Sequence, residues 1–258
     1  MYIYTCIGVI VFFAILYVVK NYKKYCNTTE NSVIIDPDEE IEGINYNQWT
    51  STEIKYIYWT GDYSSTYLLC MLLLLKNYSV QPIYIMRDNH TLDENKELGK
   101  GTDKGLDKEI DIMKNIRYTL LKNNSHLATK LMPTLYVSSI KKNWQITKQL
   151  SKLHEKLSYY NKSIKESDRI ARFSQDFKFP ISIGLDKSSS ALHEAISGNI
   201  IEVGTLECRI NNKLDIRHSE LYVFDNLRYP IIHLSKKEMK DVASRNNFYY
   251  LLNMTDIR

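Results

Sequence analysis

Residues able to do chemistry concentrate in the stretch "WTGDYSSTYLL", which holds Thr60, Gly61, Asp62, Ser64, Ser65 and Thr66. Four hydroxyls can donate to an oxyanion, and a glycine permits close backbone approach or a positive φ. The stretch precedes an apolar, helix-like run. A helix amino terminus offers free N–H groups and a positive dipole end to a phosphate. The same residues also suit a polar strand-to-helix turn in which Ser and Thr cap the helix without any ligand. Both readings fit the sequence. Asp88, in "IYIMRDN", poses a similar choice between a carboxylate that reaches a ribose or adenine and a plain loop residue. His193, His218 and His233 have no metal-ligand spacing. The four cysteines, Cys6, Cys26, Cys70 and Cys208, contain no CxxC pair, so neither a zinc site nor a disulfide framework is indicated. A net charge of +4 over 258 residues, spread in short Lys clusters, gives nucleic-acid binding little support.

Alternating elements must position these groups. "IKYIYWT" (54–60) is β-branched and aromatic and reads as a strand, "STYLLCMLLLLK" (65–76) as a helix buried on most sides, and "VQPIYIM" (80–86) as a second strand. That order is a βαβ crossover, which predicts parallel neighbouring strands. In 104–122, Leu106, Ile110, Met113, Ile116 and Leu120 make one helical apolar face. Strands are expected at 134–140, 179–185 and in "YPIIHL" (229–234), and helices at 143–158, 166–177 and a short one in "SSALHEAI". An irregular 200–224 has a hairpin candidate at "NNK". Ser235 followed by Glu238 is a capping-box pattern for a last helix. Residues 51–258 therefore read as one α/β domain with a mostly parallel sheet. In such sheets ligands bind at the carboxyl ends of strands, where 60–66 lies.

The loop resembles the "S/T-G-G-x-D-S-T" signature of PP-loop ATP pyrophosphatases, and "YWTGDYSSTYLLCMLLLLKNYSVQPIYI" is similar to the start of their 7-cyano-7-deazaguanine synthase-like branch, the queuosine-precursor enzymes. The likeness continues through "SDRIARFSQDF" (167–177) and "VFDNLRYPIIHLSKKEMKDVASRNNFYYLLNMT" (223–255). The resemblance implies a Rossmann-like, adenine nucleotide alpha-hydrolase-like fold that binds ATP with Mg2+ and adenylates an acid before a nitrogen or sulfur nucleophile displaces AMP. Carried over, Thr60, Gly61, Ser65 and Thr66 would contact pyrophosphate; Arg169, Arg172, Arg228 and Lys236 match basic positions of the family that could face phosphates or an acidic substrate, and they fit equally well as helix-surface and helix-start charges. Asp62 stands where the second glycine belongs, and Ser64 where the signature aspartate belongs. The branch's terminal cysteine motif has no counterpart after Thr255, so no zinc site is expected.

Residues 2–19, "YIYTCIGVIVFFAILYVV", carry no charge and are long enough to cross a bilayer. Lys20, Lys23 and Lys24 follow, which predicts an uncleaved anchor (1–20) with an outer amino terminus and a cytoplasmic body. Six N-x-S/T sequons could argue for a lumenal body instead, but in a chain with 20 Asn most read as chance. Residues 21–50, which include "DPDEEIEGINYNQWT", read as a polar, acidic linker. The expected function is a membrane-anchored, PP-loop ATPase-like protein whose catalysis is lost or altered, with residual ATP or phosphate binding. Two alternatives stay open. One is an active adenylating enzyme in which Asp62 supplies the displaced acidic group and Lys236 assists; the other is a non-catalytic membrane scaffold or interaction protein.

Overall fold

The computed structural model describes residues 33–35, 54–86, 104–137, 164–177, 180–188, 193, 196–202, 208–210 and 221–256. The expected anchor at 2–19, most of the linker, Asp88, His218, "NNK" and the helix expected at 143–158 lie outside the described residues. Among the described residues no helix is long and apolar enough to cross a membrane.

Eight strands are described: β1 (Val33–Ile35), β2 (Ile54–Tyr58), β3 (Ser79–Ile85), β4 (Leu135–Val137), β5 (Ile181–Ser182), β6 (Ile200–Glu202), β7 (Cys208–Ile210) and β8 (Leu227–Arg228). Six of them form one sheet in the order β1-β4-β3-β2-β5-β8. From β4 to β8 every pairing is parallel, and β1 joins antiparallel at the edge. β6 and β7 make a separate antiparallel pair. The mostly parallel α/β sheet expected from the sequence is therefore present, with β2 and β3 paired as the crossover pattern required. Three residues of the stretch read as a linker belong to this sheet. Val33, Ile34 and Ile35 are an isolated apolar triplet, suited to a short edge strand.

Strand residues alternate between two cores. Ile57, Trp59, Val80, Tyr84 and Tyr136 face one side, while Tyr58, Ile83, Ile85, Val137, Ile181 and Leu227 face the other. A sheet covered on both faces gives such near-continuous apolar strands. On the first face pack α1 (Tyr63–Cys70), α2 (Lys104–Asn123), α4 (Lys236–Arg245) and α5 (Tyr249–Asn253). α3 (Ile164–Phe177) covers the second through Ile170, Ala171 and Phe173.

α1 contacts β2, α4 and α5, which explains a helix with no polar side: Tyr67 through Leu73 are all buried. It does not run evenly to residue 76. After Cys70 the chain widens into a π-helical turn, Met71–Leu75, in which the Lys76 N–H donates to the Met71 carbonyl. The strand expected at 229–234 lies earlier, at Leu227–Arg228. Pro230 has no N–H for a ladder, and 229–234 turns instead, with Ile232 N–H on Tyr229 O and Leu234 N–H on Ile231 O. Its apolar residues are nonetheless buried, Tyr229 and Ile232 in one core and Ile231 in the other. The described hairpin is joined through 203–207, ahead of "NNK".

Candidate functional site

β2 is the middle of the parallel set, and chain order runs outward from it in both directions, to β3 and β4 on one side and to β5 and β8 on the other. The carboxyl ends of β2 and β5 thus mark the topological switch point, where open α/β sheets place ligands. The loop 59–62 and the first turn of α1 follow β2 there. Residues 183–188 follow β5.

Gly61 takes φ +70, the left-handed conformation that turns the strand into the helix and that glycine adopts without strain. α2 closes over it, since a Cβ at Gly61 would come 3.0 Å from Met113 Cγ and 3.2 Å from Ile112 Cγ2. Asp62 is the N-cap of α1, and its Oδ1 accepts the Ser65 N–H at 2.7 Å. The hydroxyls face inward. Thr66 Oγ1 receives the indole N–H of buried Trp59 at 3.3 Å, and the Ser65 hydroxyl accepts the Thr60 N–H at 3.3 Å and lies 3.2 Å from Thr60 Oγ1. The Ser64 hydroxyl donates to Asp186 Oδ2. Thr60 and Ser64 are each 8% exposed, Ser65 3% and Thr66 0%.

Two residues just past β5, Gly184 and Asp186, meet the start of α1, and neither stood out in the sequence. Asp186 is 1% exposed; besides Ser64 it accepts the Ser188 N–H at 2.6 Å and the Ser188 hydroxyl at 2.5 Å on Oδ1. A buried carboxylate is stable only when so satisfied. Gly184 lies directly against the helix start. A Cβ there would be 2.6 Å from Ser65 N and 2.8 Å from Ser65 Cα, closer than any side chain tolerates. The only sequence signal for this pair was a glycine and an aspartate at the end of an apolar run. Strand order alone puts that run beside β2.

Lys236 is brought beside the start of α1, with Nζ 6.0 Å from the Tyr63 ring centroid. Ser235 caps α4 as the pattern predicted: its hydroxyl accepts the Glu238 N–H at 3.3 Å, while Glu238 Oε2 accepts the Ser235 N–H at 2.7 Å and the Ser235 hydroxyl at 2.6 Å. The Ser235 hydroxyl and N–H, then Lys187, hold the Glu238 carboxyl below the usual carboxylate range. Arg228 folds back on its own turn, its Nη1 donating to Asp225 O at 2.9 Å and Leu227 O at 3.0 Å. Arg169 and Arg172 are half-buried on α3, which packs on the sheet face opposite α1. The loop residues and Lys236 therefore share one place, and the three arginines are not part of its described contacts.

A phosphate cradle at a helix start needs N–H groups and hydroxyls turned outward. Here Asp62 takes up the Ser65 N–H, the Ser65 hydroxyl takes up that of Thr60, and all four hydroxyl residues are buried. The Ser65 and Thr60 N–H groups and the loop hydroxyls are thus engaged inside the fold. Comparison of the chain with family models and with curated proteins returns no match.

Proposed function

We propose that this chain is a membrane-anchored, PP-loop ATPase-like protein of the adenine nucleotide alpha-hydrolase-like fold, in which the phosphate loop has become a structural joint and ATP turnover is lost. The strand order radiating from β2 and the glycine-turned loop before α1 support the fold assignment. One observation carries the loss of turnover. The Asp62 carboxylate occupies the helix start that an anion would need, at the position where the resembled signature has glycine. A phosphate arriving there would meet a negative charge, and that charge would first have to leave its N–H partner.

The test is isothermal titration of the full chain in detergent with Mg2+ and ATP, and with Mg2+ and pyrophosphate, beside Asp62→Gly. The wild type is expected to take up neither ligand at micromolar concentration. Asp62→Gly, which uncovers the Ser65 N–H, is expected to gain pyrophosphate affinity. Micromolar binding of Mg-ATP by the wild type, with pyrophosphate release in the presence of a small acid, would overturn the reading in favour of an adenylating enzyme.

A further inference from the structure

β1 fixes where the chain enters the fold. It runs antiparallel to β4, with Val33 opposite Val137 and Ile35 opposite Leu135, so the chain arrives at the carboxyl ends of the parallel strands. Across the sheet Leu135 is level with Ile83, and Ile83 with Tyr58. Val33 is therefore level with Thr60, three strand spacings away, about 14 Å at ~4.8 Å each. Only residues 20–32 separate Val33 from the apolar run 2–19. Their greatest reach is about 45 Å.

The rim at which the chain enters carries outward cations. Lys187, in the turn after β5, is 50% exposed; Lys236 and Lys237 open α4, both exposed, with half-buried Tyr63 beneath Lys236. Two carboxylates lie among them: Glu238 accepts the Ser235 N–H and stands 3.9 Å from Lys187 Nζ, and Asp62 accepts the Ser65 N–H, so three ammonium groups outnumber the carboxylates by one. Ammonium groups on long apolar stems beside a tyrosine suit a lipid headgroup layer, and each lysine near an anionic surface adds attraction that fades within a Debye length.

We propose that this rim, bearing Lys187, Lys236, Lys237 and Tyr63, rests on an anionic lipid surface, the bilayer that holds residues 2–19. The proposal rests on the reading of 2–19 as a membrane span. Its test uses the full chain reconstituted in vesicles of phosphatidylcholine alone or with about one third phosphatidylserine, washed in alkaline carbonate and exposed to a membrane-impermeant amine reagent. Mass spectrometry reads labelling at Lys187, Lys236 and Lys237, with exposed Lys108 and Lys122 of α2 as references. On the anionic vesicles the three rim lysines are expected to label at least about three-fold less than on neutral ones, with the references unchanged and the protection gone in ~0.5 M salt. Equal labelling on both vesicles, in chain that survives the carbonate wash, overturns the rim contact and leaves the span standing. Chain stripped from the vesicles by carbonate overturns the span, and the rim contact with it.

Discussion

At position 62 one carboxylate satisfies the first turn of α1, and under the proposed reading the same charge disfavours an anion there. Asp62→Ala should cost about 1 kcal/mol of stability in urea unfolding, the usual loss for a removed N-cap. Position 64 is set by its neighbour across the switch point. Ser64 donates to buried Asp186, so Ser64→Asp would bring two carboxylates together in a dry place and should destabilise by roughly 3 kcal/mol. Adding Asp186→Asn should restore most of that loss, and a double-substitution cycle in urea reads the coupling. Gly184→Ala has no room beside Ser65 N and should cost about 3 kcal/mol or more by the same measurement. The loop residues were legible because they are contiguous and sit between two apolar runs. Asp186 and Gly184 were not, because more than a hundred positions of chain separate them from residues they touch.

Among the elements, α4 was legible from two residues, Ser235 and Glu238, because a capping box is a local device whose partners lie three positions apart. It also titrates. The folded pKa of Glu238 is depressed from 4.5, so its contribution is present above that value and is lost as pH falls through the lower, folded value. The thermal midpoint of the wild type should exceed that of Glu238→Gln near neutral pH, with the gap closing as the pH drops below 4.5. Elsewhere local patterns misplaced an edge. Apolar residues at 229–234 looked like a strand, yet Pro230 ends the ladder and burial in two cores uses the same residues in a turn. In α1, a run buried on nearly every side leaves no polar edge from which a change of winding at Met71 could be read. The same burial pushes the Cys70 thiol up to about 12, so thiolate-selective reagents should label Cys70 only after unfolding.

For the whole molecule, periodicity sufficed to foresee an α/β domain with a mostly parallel sheet, because β2, β3 and the face of α2 each carry their own signal. Strand order carries no such signal, and neither does the recruitment of Val33–Ile35 from an otherwise polar stretch. That recruitment sets where the domain begins. A chain lacking residues 1–50 uncovers the edge of β4, whose unpaired backbone groups invite intermolecular pairing. It should melt lower and aggregate at lower concentration than one lacking only 1–30, as scanning calorimetry and light scattering would read.

The edge strand also has a history within each copy of the protein. β1 is the first of the described strands to leave the ribosome, and its Val33 pairs with Val137, about a hundred positions later; at ~5–20 residues per second that partner is synthesised some seconds afterwards. Loop closure over that length is slow to be repaid. The first strand made thus waits for the fourth, while β5 and β8, on the far side of β2, are made later still.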